Sequence, residues 1–147
     1  MRIGVPKEIK AQENRVGLTP DSVKALTSNG HEVLVENNSG FEAGFENNQY
    51  EKAGAKIVSQ ATDIFNDSEI IVKVKEPLGN EIKMIKENQI VFTYFHLAAD
   101  KKLTEDLLKS KSICIAYETV TDNNGRLPLL APMSAVAGRM SIQAGAH

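Results

Sequence analysis

The stretch Ser68–Asp100, SEIIVKVKEPLGNEIKMIKENQIVFTYFHLAAD, decides the fold. It reads as strand, short helix or loop, strand. Ile70, Ile71, Val72 and Val74 form one β-branched run, and Ile90, Val91, Phe92 and Thr93 form the next. Contiguous apolar runs of this length suit strands covered on both faces, as in a parallel sheet. Each run ends in polar chemistry that a buried strand does not need: Lys75 before Glu76-Pro77, and His96 after Phe95. If the two strands are parallel, Lys75 and His96 emerge at one edge of the sheet. Ligands of open α/β sheets bind at that edge, beyond the carboxyl ends of the strands. A cation and an imidazole facing one crevice suggest a small anion whose proton inventory changes.

Toward the N-terminus the same grammar repeats. RIGV (Arg2–Val5) is a short strand closed by Pro6, and the charged loop KEIKAQENRVGL that follows carries Arg15. Thr19 is a good N-cap, Pro20 suits the first helical position, Asp21 complements the helix dipole, and Gly30 supplies a left-handed stop. Val23 and Leu26 give that helix an apolar stripe. HEVLVEN then reads as a strand, which makes the opening a strand–helix–strand unit with parallel pairing and a right-handed crossover. A helix is expected from about Asn47 to Ala53, stopped by Gly54, then a short strand AKIV and a brief helix QATDIFND.

Toward the C-terminus, DKKLTEDLLKSK is helical, with Asp100 as cap and Leu103, Leu107 and Leu108 on one face. SICIAYETV reads as a buried strand, and Asn124-Gly125 as the pivot of a turn. A last helix opens near Pro132 or Met133. Its many small residues (Ala135, Ala137, Gly138, Ala144) predict close packing against another helix or a second domain. No stop signal closes it before His147, so the chain reads as a piece of a longer protein. The fold class is α/β: a doubly wound, mainly parallel sheet flanked by helices.

Composition narrows the function classes. The chain has 147 residues, 17 basic and 19 acidic, for a net charge of -2, which gives no support to a nucleic-acid or anionic-membrane surface. Cys114 is the only cysteine, so neither a disulfide framework nor a thiolate metal cluster is available. Bracketed by Ile113 and Ile115, it reads as an inert core thiol. His31 and His147 lack ligand spacing to His96, and no metal site is expected. No apolar run is long enough for a membrane span, and the expected compartment is the cytoplasm.

Arg15, Lys75 and His96 each have a bland reading: a solvated loop arginine, a solvated lysine made more ordinary by Lys73 on the same strand face, and a surface histidine. Their convergence beyond parallel strand ends favours chemistry. Arg15 and Lys75 could clamp a carboxylate, and His96 could exchange a proton near neutral pH. Tyr94 and Phe92 share the face of His96 by strand alternation and read as packing or pocket residues. Glu118, also at a strand end, is thin evidence alone. No G-x-G-x-x-G or P-loop pattern occurs.

RIGVPKEIKAQENRVGLTPDSVKALTSNGHEVLVE, AGFENNQYEKAGAKIV, IIVKVKEP, FTYFHLAAD, IAYETV and LPLLAPMSAVAGRMSIQAGAH resemble the N-terminal domain of bacterial alanine dehydrogenases, from Met1 to His147. The resemblance implies a Rossmann-like or flavodoxin-like substrate domain over residues 1–130, the start of an interdomain helix over 131–147, and an NAD-binding domain that this chain does not contain. It implies reversible oxidative deamination of L-alanine to pyruvate and ammonia. It makes Arg15 and Lys75 substrate-binding residues, His96 the catalytic histidine, Ser134 a cofactor contact across the cleft, and Tyr94 and Met133 walls of the pocket. NAD would be bound mainly by the further domain, which also supplies a catalytic aspartate. The family's hexamers imply a homo-oligomer. Alone, the 147 residues are expected to lack dehydrogenase activity. Two enzyme relatives compete: the transhydrogenase α subunit, which shares the opening segments but lacks the TYFHLA histidine, and the more remote saccharopine dehydrogenase. A non-catalytic carboxylate-binding or oligomerisation module is the rival of another class.

Overall fold

A computed structural model describes residues 1–147. Six strands form one sheet in which every pairing is parallel: β1 (Arg2–Val5), β2 (Glu32–Glu36), β3 (Lys56–Val58), β4 (Ile70–Lys75), β5 (Ile90–Tyr94) and β6 (Ile113–Ala116). Their order is β3-β2-β1-β4-β5-β6. The chain winds outward from β1 to one edge, returns, and winds outward from β4 to the other. This is the doubly wound Rossmann-like arrangement, with its topological switch between β1 and β4. The loop after β1 and the loop after β4 therefore leave the sheet in opposite directions, which opens a crevice at their shared carboxyl end.

Strand alternation divides the core into two layers. Ile3, Val5, Val33, Val35 and Val72 pack on one face with Val23, Tyr50 and Ala53. Those three come from α1 (Pro20–Ser28), α2 (Asn47–Lys52) and its cap. Leu34, Ile71 and Val91 pack on the opposite face with Ile64, Phe65, Ile85, Leu103 and Leu107. That second cover is built from α3 (Ala61–Asp67), α4 (Asn80–Met84) and the residue after it, and α5 (Lys101–Ser110). Helix α3 lies so close to β1 that a Cβ on Gly4 would meet Ser68 Oγ at 2.3 Å and Ile64 Cγ2 at 2.6 Å.

Local signals place the helix ends as expected. The Thr19 hydroxyl accepts the Ser22 N–H at 3.3 Å, Pro20 stands at the first turn, and Gly30 takes φ +81°. The Asp100 carboxylate accepts the Leu103 N–H at 2.9 Å and starts α5. Tyr50 is fully buried and donates its hydroxyl to the Leu18 carbonyl at 2.9 Å; burial pushes its pKa up to about 12. That bond ties the end of the β1–α1 loop to α2.

Three expectations are corrected. The SICIA run is a strand, but it is the outer edge of the sheet, and Ile113 and Ile115 are exposed. α1 and α2 cover only the β1–β2 side of their face, so the same face of β6 has no helix over it. Cys114 points to the other face, beside Leu107 and Leu108 of α5, and is likewise exposed rather than a core thiol. Leu108 falls outside the buried face of α5, at 73% exposure. The final helix, α6 (Ala131–Gly145), ends two residues before His147, and none of its residues is buried. No helix is long and apolar enough to cross a membrane.

Candidate functional site

At the switch point, the β1–α1 loop crosses over the end of β4. Gly17 makes this approach possible: a Cβ there would lie 2.6 Å from the Val72 carbonyl oxygen. The crossing encloses a cavity of about 320 Å³ whose walls include Arg15, Thr19, Phe45, Tyr94, Tyr117 and Met133. Segments distant in sequence thus supply one cavity: the first loop, the stretch before α2, the ends of β4 and β5, the turn after β6, and the start of α6.

Arg15 enters as a fixed group. Its Nε and Nη2 donate to the two oxygens of Glu13 at 2.7 and 2.6 Å, and its Nη1 reaches Met133 Sδ at 2.9 Å. The side chain of Glu13 is only 8% exposed. The hydrogen bonds from Arg15 hold the Glu13 carboxyl below the usual range, and the charge of Lys75 adds to this. Lys75 is therefore close enough to the Arg15–Glu13 pair to be felt electrostatically, although it does not itself line the cavity. Glu13 had no signal in the sequence beyond its spacing of two residues from Arg15.

Lys75 stands at a break in the sheet. β4 pairs with β5 as Ile70↔Ile90, Ile71↔Val91 and Val72↔Phe92, and then Lys75↔Tyr94. One extra residue is inserted in β4, which is a β-bulge. The insertion overturns the expectation that Lys73 is a solvated neighbour of Lys75. Lys73 is wholly buried and donates to Glu81 Oε1 at 2.7 Å, with Glu8 Oε2 at 3.4 Å. Glu8 Oε1 in turn accepts the Val74 N–H at 2.6 Å and the Lys75 N–H at 3.4 Å. Burial pushes the Glu8 carboxyl up, against the opposing pull of Lys73 and the two backbone N–H groups. A buried charge survives only when paired in this way. Nothing in the linear pattern marked Glu8 or Glu81.

Tyr94 lines the cavity and donates its hydroxyl to the Leu129 carbonyl at 2.5 Å, which ties β5 to the segment leading into α6. Its ring packs edge-on against Tyr117 at 4.8 Å, and Phe92 does the same at 4.2 Å. Burial raises the Tyr94 pKa, Arg15 opposes that shift, and Glu118 reinforces it.

His96 lies just past β5 at the same end of the sheet, but outside the cavity lining. It adopts φ +54°, ψ +38°, a left-handed conformation rare outside glycine. Strand alternation therefore stops at Tyr94 and does not carry to His96. Glu118 Oε1 holds this turn, accepting the N–H groups of Phe95 at 3.1 Å and His96 at 2.7 Å. Its other oxygen, Oε2, is buried without a partner. Ser134 sits exposed on the first turn of α6, and its hydroxyl donates to the Leu130 carbonyl at 3.3 Å. The structure thus gathers Arg15, Tyr94 and Met133 in one cavity, sets Lys75 beside it, and leaves His96 and Ser134 outside its lining. The arrangement puts a guanidinium in the cavity and an ammonium beside it, with an imidazole at the same sheet edge.

Known proteins share this fold. The family model described as alanine dehydrogenase/PNT, N-terminal domain, matches residues 4–137. Over all 147 residues the chain is 57% identical to an alanine dehydrogenase of Staphylococcus epidermidis and 51% identical to one of Halomonas elongata. It covers 39% and 40% of those two proteins, and so spans about two fifths of their length. A solved L-alanine dehydrogenase superposes with a TM-score of 0.94 and 52% identity, over 99% of this chain and 40% of that one. A transhydrogenase from Sinorhizobium meliloti superposes less well, with a TM-score of 0.78 and 26% identity over 84% of this chain and 35% of that one. A match that takes in every strand of the sheet and the loop carrying Arg15 leaves one assignment: the chain belongs to the alanine dehydrogenase/PNT N-terminal domain family.

Proposed function

We propose that this chain is the substrate-binding part of an NAD-dependent L-alanine dehydrogenase, which interconverts L-alanine with pyruvate and ammonia. The observation that carries this reading is the guanidinium of Arg15, presented into a small cavity at the switch point with Lys75 alongside. Two cations beside one cavity suit a short 2-oxo or 2-amino carboxylate. Arg15 offers a directional fork, and Lys75 adds a point charge. Tyr94, Tyr117 and Met133 stand around the space left for a substrate side chain.

His96 is assigned the proton-transfer role. Interconversion of an amine and a ketone requires proton movement at the α-carbon substituent, and an imidazole is suited to that near neutral pH. Its left-handed backbone, held by Glu118, aims this part of the chain away from the regular strand direction. Ser134, at the start of α6, is assigned to contact the cofactor.

The cofactor's phosphates do not fit the residues present. In dinucleotide-binding sheets the first strand–helix turn is short and glycine-rich, so that backbone N–H groups reach the pyrophosphate. Here that connection runs from Pro6 to Thr19 and holds the buried carboxylates of Glu8 and Glu13, which would repel it. Residues 1–130 are read as the substrate domain and 131–147 as the start of an interdomain helix, which the lack of any buried residue in α6 supports. Self-association and a cytoplasmic location belong to the same reading.

Amide-resolved NMR titration of the chain with pyruvate tests it. The expected result is shifts clustered at Arg15, Val74, Lys75 and Tyr94, with affinity reduced about tenfold or more by Arg15→Ala, the loss of a charge-assisted contact. Pyruvate binding elsewhere, or binding indifferent to Arg15→Ala, would overturn the proposal. The chain alone is expected not to form NADH from L-alanine, and measurable turnover would contradict the division of labour.

A further inference from the structure

The end of β4 is not held by the sheet alone. β1 pairs with β4 only at Ile3↔Ile70 and Gly4↔Ile71, so the β1 side of β4 has no strand partner beyond that point. On the other side the bulge interrupts the ladder between Val72 and Lys75. A strand end with no partner on one side and a ladder broken before its last residue on the other would ordinarily fray. Here two side chains replace the missing ladder. Glu8, from the loop after β1, accepts the Val74 N–H at 2.6 Å and the Lys75 N–H at 3.4 Å. Thr93, from β5, donates its hydroxyl to the Lys75 carbonyl at 2.9 Å. Both peptide groups of Lys75 are thereby held, one from each side.

The charges are arranged to keep Glu8 where it is. Its second oxygen faces the Lys73 ammonium at 3.4 Å, and the same ammonium bonds Glu81, whose other oxygen accepts the Leu78 N–H at 2.9 Å. The segment from Lys73 to Leu78 is thus fastened at its start, middle and end by carboxylates.

We infer that Glu8 is a positioning residue: by accepting the backbone N–H groups at the bulge, it fixes the direction in which Lys75 presents its ammonium to a substrate carboxylate. The inference rests on Lys75 being a carboxylate ligand, as proposed above. Glu8 does not line the cavity; it holds Lys73 and Val74, which do, and Lys75, which stands beside it, and the Lys75→Ala background separates the two routes.

A double-mutant cycle tests this on the 147-residue chain, with pyruvate affinity read by NMR titration. Glu8→Ala is expected to weaken binding about tenfold, the scale of one charge-assisted contact misplaced. Glu8→Gln keeps an acceptor oxygen for the Val74 and Lys75 N–H groups and is expected to retain affinity within about threefold. In a Lys75→Ala background, Glu8→Ala is expected to add less than about twofold, because the group it positions is gone. Lys75→Ala that weakens binding, together with an additive Glu8→Ala, overturns the inference alone. Lys75→Ala without effect removes the carboxylate clamp, and this inference with it. If Glu8→Ala does not fold, Glu8→Asp withdraws the acceptor from the bulge while keeping a charge near Lys73. It is expected to show the same loss, and unchanged affinity in that variant overturns the inference.

Discussion

Replacing Lys73 by methionine should be among the most damaging single changes in this chain, even though lysine and methionine are similar in length. The Lys73 side chain is fully buried, and its two partners, Glu8 and Glu81, are 3% and 4% exposed. Lys73→Met leaves two buried carboxylates facing each other without a cation. Breaking a buried ion pair from one side costs about 3–5 kcal/mol. Against a typical total of about 5–15 kcal/mol, that is a large fraction of the stability. At about 2–4 °C per kcal/mol for a chain of this size, the melting temperature should fall by about 6–20 °C. The deficit should also depend on pH in a definite direction. Burial already pushes the Glu8 carboxyl up, and the variant removes the Lys73 charge that opposes this. The variant's stability is then best preserved below the ordinary carboxyl pKa and is lost as pH rises through the raised value. Thermal and urea unfolding followed by circular dichroism, at about pH 4.5 and about pH 7.5, would therefore show a smaller gap from the parent at the acidic pH. Adding Glu8→Gln and Glu81→Gln should recover most of the loss, since a neutral set pays little desolvation. A Lys73→Met variant within about 1 kcal/mol of the parent, or equally impaired at both pH values, would refute the description of this cluster as a buried, charged unit.

Gly17→Ala should cost about 1–3 kcal/mol, because its Cβ would press on the Val72 carbonyl oxygen at 2.6 Å, a backbone atom with little freedom to yield; chemical denaturation reads this directly. Glu13→Gln should flatten the acid side of the stability profile. Arg15 lowers the folded pKa of Glu13, so the pair stabilises the fold above the ordinary value of 4.5 and that contribution is lost as pH falls through the lowered value. Urea midpoints across that range would show no difference in slope between parent and variant if the pair were absent. Cys114, exposed on the edge strand, should react with a thiol reagent in the native state, whereas a core thiol would wait for unfolding.

Much of the architecture was legible in the residues. Thr19-Pro20 and Asp100 started helices where capping chemistry requires them, and the apolar runs at Ile70–Val74 and Ile90–Thr93 became neighbouring parallel strands. The site was half legible. Arg15 stood out as a cation in a loop leaving a strand, and it does enter the cavity with Tyr94 and Met133. The readings that failed share a cause. Each assumed that an element's surroundings follow from its own letters. The run ICI was taken as buried because such runs usually lie under helices on both faces, yet no helix of this chain covers one face of β6. Lys73 was taken as solvated because it shares spacing with Lys75, yet the bulge ended that relation.

The order of elements, their types, and the presence of cations beside strand ends were thus settled by local propensity and periodicity, which act over a few residues. Burial and pairing were decided only by the tertiary structure. Glu8 and Glu81 meet Lys73, and Glu118 meets His96, across separations that no local pattern encodes. Whether a charge is buried or free depends on what the rest of the chain places against it, and that is a property of the packed sheet rather than of any segment within it.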